Sequence, residues 1–246
     1  MTEQSISPTI PESGVRGPGI SSRPLKLVVF DVDGTLYDQK RLRRYMLIEL
    51  LGYVATHKDG VRVMRTLKTF RRHREELADR EATGIHTAQF DLPGWPPDKA
   101  GMVRDLVDEW MRRRPLKYLL RCRFPGIKDL FVSLKRSGIL VATLSDYTAT
   151  AKLDALDLVP DVEVTAEDAM VDRLKPHPKG LHNLLTSTGI PANQAIVIGD
   201  RDERDAECAR RAGVAYLLKV EKPEDDATRL ASFADFHQAI HHLGFT

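Results

Sequence analysis

Acidic residues in this chain gather at spacings that suit metal and phosphate chemistry. Asp31 and Asp33 stand two apart and run into Gly34, Thr35 and Leu36. Asp200 follows Gly199, with Asp202 and Asp205 close behind. Ser145-Asp146 and Lys175-Pro176 fall between these acids in the chain. Carboxylates that converge without His or Cys favour a hard, oxygen-ligated ion such as Mg²⁺. A carboxylate can also attack phosphorus and form an aspartyl-phosphate. A divalent cation lowers the repulsion between that carboxylate and an anionic phosphate. A hydroxyl and an ammonium can then hold the phosphate oxygens and offset developing charge.

The acids and Ser145 sit where strands are expected to end, and Lys175-Pro176 sits in a loop between them. Leu25–Phe30 is short and mostly apolar, as a buried parallel strand is, and it stops at Asp31. Residues 139–144 form a second such run, ending at Ser145-Asp146. A short strand is expected at 162–165, ahead of Lys175. Residues 195–198 end at Gly199-Asp200, and 214–220 follow Gly213. Helical faces alternate with them at 127–134, 149–156, 181–185 and 203–212. Such alternation predicts a parallel sheet with helices on both faces, with ligands at the carboxyl ends of the strands.

Between the first and second strands the period changes. Leu42, Tyr45, Met46, Leu50 and Tyr53 share one helical face. Met64, Leu67 and Phe70 share another, as do Val103, Leu106, Val107, Trp110 and Met111. Residues 85–98 hold three Pro and are expected to form a loop. Residues 39–123 are thus expected to be helical, inserted into an α/β core of residues 25–38 and 124–246. Residues 1–24, half of them Ser, Pro or Gly, are expected to be a disordered tail.

Composition narrows the classes further. The 246 residues carry a net charge of +2, but residues 39–123 hold 20 basic and 11 acidic side chains and the remainder 17 and 24. A basic block therefore interrupts an acidic chain. Two cysteines are too few for a disulfide framework. No apolar run approaches a membrane span, and the first residues lack the pattern of a secretory signal. The expected setting is the cytoplasm.

The segment Asp31-Val32-Asp33-Gly34-Thr35-Leu36 resembles the first motif, DxDGTL, of the haloacid dehalogenase superfamily. Leu144-Ser145-Asp146 is similar to its second motif, Lys175-Pro176-His177-Pro178 to its third (KPxP), and Gly199-Asp200 with Asp205 to its fourth (GDxxxxD). The resemblance runs from residue 27 to about 218. It implies a Rossmann-like core with an all-α C1-type cap. It implies that Asp31 is the nucleophile and a Mg²⁺ ligand. Asp33 would be acid and base, with its carbonyl on the metal. Lys175 would steady Asp31 and bind phosphate with Ser145, Gly34, Thr35 and Asp146, while Asp200 and Asp205 complete the metal site. Asp146 stands where many relatives have Asn.

Asp33 narrows the chemistry. Alternate side chains at a strand end share a side, so it can face the same site as Asp31. A leaving alkoxide needs a proton and a halide does not. The pattern therefore predicts a Mg²⁺-dependent hydrolase of small phosphomonoesters. A sugar phosphomutase would use the same motifs. A nucleic-acid-associated protein would suit the basic block, but no nucleic-acid motif or stacking aromatic set accompanies the arginines. A non-catalytic binding scaffold would not need the intact acids.

The other conspicuous residues have plainer expectations. The basic runs at 71–74 and 112–114 are expected on solvated helix faces, and Trp110 in the cap core. Asp205 is as well placed to cap the following helix as to serve the site. His177, His241, His242, Cys122 and Cys208 are expected to be incidental. The 85–98 loop, with Trp95, is a candidate specificity element.

Overall fold

The Leu27–Phe30 strand (β1) is apolar at all four positions and fully buried, as a central parallel strand must be. The structure, a computed structural model, describes residues 24–222 and 226–245. The tail expected over 1–24 therefore lies outside the described residues except for Pro24. After β1 come α1 (Gln39–Thr56), α2 (Gly60–Asp79), α3 (Ile85–Ala88), α4 (Ala100–Val107) and α5 (Leu116–Cys122). The chain continues through α6 (Ile127–Arg136), β2 (Leu140–Ser145), α7 (Thr150–Ala155), β3 (Val162–Thr165) and α8 (Lys179–Thr188). It closes with β4 (Ala195–Gly199), α9 (Glu207–Arg211), β5 (Ala215–Lys219), β6 (Arg229–Leu230) and α10 (Phe236–His242).

The strands form one parallel sheet in the order β3-β2-β1-β4-β5-β6. Phe30 is in register with Thr143 of β2 and Ile198 of β4, so the ends of these three strands lie side by side. The order reverses at β1, and the crevice outside that point is where ligands bind in such sheets.

Alternation along β1 divides the core. Val28 and Phe30 pack with Leu119 of α5, Ile127 and Phe131 of α6, Leu153 of α7 and Phe236 of α10. Leu27 and Val29 face the other way, onto Leu181 and Leu184 of α8 and Ala209 of α9. Helices therefore cover both faces, the Rossmann-like arrangement expected.

The α1–α5 insertion has a core of its own. Val63, Leu67 and Phe70 of α2 meet Phe90, Leu92, Val103, Val107 and Trp110. The insertion leaves and returns at one point. Tyr37 and Arg123 pair as an antiparallel bridge, and the Asp38 N–H donates to the Cys122 carbonyl at 2.9 Å. The Asp38 carboxylate then accepts from the Arg41 N–H at 2.8 Å and starts α1. No strand lies between Gln39 and Cys122 among the described residues.

Two expectations need correction. The 85–98 segment is not all loop: it holds α3 and a 3₁₀ turn at Pro97–Lys99. The cause is tertiary, because the Asp172 carboxylate accepts the Gly84 and Ile85 N–H groups at 2.7 Å each and caps α3 from the core. Trp95 packs against the cap cluster and is not among the residues lining the main cavity. The helix expected at 203–212 is present, with a π-helical first turn, Asp202–Ala206, that continues into α9. β6 and α10 were not anticipated, since a two-residue strand and a two-turn helix carry little signal. No described helix is long and apolar enough to cross a membrane.

Candidate active site

The β1 ladder continues one residue past the strand, where the Asp31 N–H donates to the Ile198 carbonyl at 2.8 Å. This fixes the Asp31 backbone, and two contacts fix its carboxylate. Lys175 Nζ donates to Oδ1 at 2.5 Å and Thr35 Oγ1 donates to Oδ2 at 3.1 Å. Lys175 also donates to Asp205 Oδ1 at 2.5 Å, so one ammonium bridges two carboxylates. All three side chains are nearly sealed from solvent. Burial holds the Asp31 carboxyl well above its ordinary pKa; Lys175 opposes this, and Asp205 and Asp200 reinforce it. Burial also works against the Lys175 ammonium, but Asp205 and Asp31 outweigh it and hold its pKa well above that of a free lysine.

Asp33 faces the same cavity with different partners. Lys152 Nζ donates to its two oxygens at 2.6 and 2.7 Å, and Tyr37 Oη donates to Oδ1. Burial would raise the Asp33 pKa, yet Lys152 and Tyr37 overcome it and leave the carboxyl below its ordinary range. Two acids two residues apart are thus tuned in opposite directions.

Asp200 projects from the end of β4 against Gly34. A Cβ at Gly34 would lie 2.2 Å from Asp200 Oδ2, and its φ of +104° is one that side chains rarely adopt. Asp200 Oδ1 is closed off from solvent and has no hydrogen-bond partner. Burial, then the Asp205 charge, pushes its pKa up to about 6. Carboxylate oxygens of Asp31, Asp200 and Asp205 lie within 4.8 Å of one another. An oxygen-only donor set with one orphaned acceptor fits a hard divalent cation. Asp205 is the most occupied of the three. Its Oδ1 accepts from Lys175, and its Oδ2 accepts from the Asp200 and Arg201 N–H groups at 3.2 and 3.0 Å. Gly199 permits this, since a Cβ there would meet Asp205 Cβ at 2.2 Å. Asp205 sits inside the π turn and braces the β4 end.

The β2 end is less open than the sequence suggests. Ser145 is buried, and its Oγ accepts the Tyr147 N–H at 3.2 Å. Asp146 Oδ1 accepts the Lys175 backbone N–H at 2.9 Å, so the acid at the Asn-like position anchors the Lys175 loop. Ser145 and Thr35 are not among the residues lining the cavity, whereas Asp31, Asp33, Gly34, Asp146, Lys175, Asp200 and Asp205 are.

The cap closes over this edge through charged contacts. Arg74 of α2 is buried, donates to Gln89 Oε1 and the Asp146 carbonyl, and lies 3.9 Å over the Tyr147 ring. Arg112 meets Glu167 at 2.7 Å. Arg204 reaches Glu75 at 2.9 Å and Asp79 at 2.6 Å, and Leu77 and Ala78 of α2 share an apolar cluster with Ala166 and Leu174 of the core. The basic runs are therefore not simply solvated: Arg74 and Arg112 turn inward and meet core residues. The resulting cavity is about 1230 Å³.

Lys152, Tyr37 and Arg74 escaped the sequence reading. No local pattern marked them: Lys152 lies in the last turn of α7, where a cation suits the helix dipole without any further partner. His177 Nδ1 accepts the Lys179 N–H at 3.2 Å and does not line the cavity. Burial drives the Cys208 thiol up to about 12, which leaves it inert.

A parallel α/β core with acidic strand ends beneath a helical lid is the architecture of a hydrolase superfamily. The family model for haloacid dehalogenase-like hydrolases matches residues 25–213, and the chain belongs to that family. It is an enzyme of the phosphatase type. It is similar to a phosphoglycolate phosphatase of Rhodospirillum rubrum, 27% identical over 89% of this chain and 91% of the relative. A phosphoglycolate phosphatase of Vibrio parahaemolyticus is 24% identical over 80% of this chain and 84% of that one. In fold the chain is similar to a HAD phosphatase from Thermococcus onnurineus (TM-score 0.61, 19% identity, 88% of this chain and 98% of that one). The same holds for a 2-haloacid dehalogenase from Pseudomonas syringae pv. Tomato (TM-score 0.60, 19% identity, 89% and 99%).

Proposed function

We propose that this chain hydrolyses a small phosphomonoester in a Mg²⁺-dependent reaction that passes through an aspartyl-phosphate on Asp31. The carrying observation is the pair of strand-end acids in one cavity, Asp31 clamped by Lys175 and Thr35 and Asp33 clamped by Lys152 and Tyr37. The first suits a nucleophile whose direction must be fixed. The second suits a group that exchanges a proton with the leaving oxygen and then with water. Asp31 and Asp200, with the Asp33 carbonyl and bracing from Asp205, would hold Mg²⁺. Its charge would favour ionised carboxylates and offset that of the phosphate.

In the first half-reaction an Asp31 oxygen bonds to phosphorus as the ester bond breaks, and Asp33 gives its proton to the departing alkoxide. In the second, Asp33 takes a proton from water as that water attacks the aspartyl-phosphate, releasing phosphate and restoring Asp31. The Lys152 ion pair favours the basic form of Asp33. Asp33 would take up the proton the first step needs from solvent before the ester bond breaks. Lys175 stays beside Asp31 and binds phosphate oxygen, joined by amides around Gly34 and Ser145. The phosphoglycolate phosphatase relatives support a small phosphorylated substrate.

The test is phosphate release from p-nitrophenyl phosphate and a phosphomonoester panel, with Mg²⁺ or with chelator. Native chain is expected to turn over only with Mg²⁺, and Asp31→Asn to lose at least about 10³-fold in kcat. A folded native chain that releases no phosphate from any ester, and takes up no beryllium fluoride with Mg²⁺, would overturn the reading.

A further inference from the structure

The cap carries its basic excess in one place. Residues 39–74, which include α1 and most of α2, hold 11 basic and 2 acidic side chains, whereas residues 75–123 hold 9 of each. Both acids of the first stretch are already engaged. Glu49 meets Arg114 and Lys117 at 2.9 and 3.0 Å, and Asp59 accepts from Tyr53 Oη at 3.1 Å. Arg62 and Arg72 have only long contacts, 3.6 Å each, to Asp59 and Glu76. Arg44, Lys58, Arg65 and Lys68 are exposed and make no ion pair among the described residues.

The same two helices leave apolar side chains in water. Leu47, Ile48 and Leu51 of α1 and Val61 and Met64 of α2 are five of the nine large apolar side chains exposed among the described residues, and Ile48 is 69% exposed. Helical spacing sets them beside the free cations. Arg44, Ile48 and Leu51 fall at i, i+4 and i+7, and Val61, Met64, Arg65 and Lys68 at i, i+3, i+4 and i+7. The inner faces of both helices meet in one cluster, through Met46, Leu50 and Tyr53 of α1 and Val63, Leu67 and Phe70 of α2. The helices also touch where the chain turns, since a Cβ at Gly60 would lie 2.4 Å from Val54 Cα. The hairpin therefore turns a mixed apolar and basic face outward.

Charge and polarity select what covers that face. A second copy in an isologous dimer would set basic face against basic face. A nucleic acid would meet the arginines but leave isoleucine and leucine against phosphate. A bilayer with anionic headgroups answers both features. Apolar side chains enter the boundary between headgroups and acyl chains, while the long Lys and Arg stems carry their charges to the lipid phosphates. Ile48, Leu51, Val61 and Met64 project outward and are not among the residues lining the main cavity, so a fluid surface fits them better than a folded acidic protein.

We propose that the α1–α2 hairpin is a peripheral membrane surface, which seats on an anionic bilayer with Ile48, Leu51, Val61 and Met64 in its interfacial layer and Arg44, Lys58, Arg65 and Lys68 on its headgroups.

The test is flotation of the full chain with vesicles of phosphatidylcholine, alone or with about 30 mol% phosphatidylserine, at about 0.1 M NaCl. The chain is expected to bind the anionic vesicles about tenfold more tightly than the neutral ones, and to let go severalfold at about 0.5 M NaCl. Arg44→Gln, Arg65→Gln and Lys68→Gln together should cut that binding about tenfold, whereas Arg44→Lys with Arg65→Lys should keep it. Ile48→Gln with Leu51→Gln should also cut it about tenfold. Every replaced side chain is exposed and lies outside the main cavity, so thermal unfolding of each variant should match that of the native chain. Equal binding to both vesicles, or binding that survives either set of Gln changes, overturns the proposal. So does a folded chain that floats with neither vesicle, and that result would leave the face to an acidic protein partner.

Discussion

Asp31 and Asp33 show how two identical side chains, two residues apart, acquire opposite properties from their neighbours. Both are buried, but Asp33 meets an ammonium and a phenol of its own, whereas Asp31 shares its lysine with Asp205. Asp200 has no such partner, and its pKa stands near 6 against an ordinary 3.8. A carboxyl whose native pKa is raised binds its proton more tightly folded than unfolded, so its ionisation costs stability. In metal-free protein this contribution falls as pH rises from about 4 to about 6, by on the order of 2 kcal/mol after allowing for partial solvent contact. Urea unfolding with chelator should show that decline, Asp200→Asn should lessen it and leave the part due to the raised Asp31 carboxyl, and Mg²⁺ should restore stability above pH 6 more than at pH 4.5. A loss of equal size in Asp200→Asn would remove Asp200 as the cause.

At the scale of elements, the strands place the acids and α2 places the lid. Three motif-bearing strand ends were legible in the sequence because apolar runs ended at Asp31, Ser145 and Asp200, and the Lys175 loop was legible from its Lys-Pro motif. Cap docking was not, since Arg74 sits in a run of basic residues whose inward member depends on where the helix lies. Replacing Arg74 with Met removes its bonds to Gln89 and the Asp146 carbonyl and the stacking on Tyr147. The cost should be about 3 kcal/mol, as for a buried, multiply bonded charge. Hydrogen exchange should then quicken in α2 and α3 while β1 and β4 stay protected. Unchanged exchange in α2 would show that the apolar cluster of Leu77, Ala78, Ala166 and Leu174 holds the cap by itself.

For the whole molecule, the division of charge matters. The cap sequence carries the basic excess, and Arg43, Arg71 and Arg74 turn part of it toward the cavity. Such a field raises the encounter rate of anionic substrates and is screened by salt. For a doubly anionic phosphoester, kcat/KM should fall severalfold between about 20 and 200 mM NaCl, with kcat changing less than twofold. A salt-independent kcat/KM would mean that the cap charge is spent on docking the lid.

The sequence by itself determined the sheet, its covered faces, the helical insertion and the acids at the strand ends. These follow from local periodicity and from motifs spanning a few residues. Tertiary structure alone decided who partners whom. Lys152 meets Asp33 across 119 residues, Lys175 divides itself between Asp31 and Asp205, and Asp172 caps α3 from 88 residues away. Long-range pairs of this kind depend on how packed elements are oriented, which no local pattern encodes.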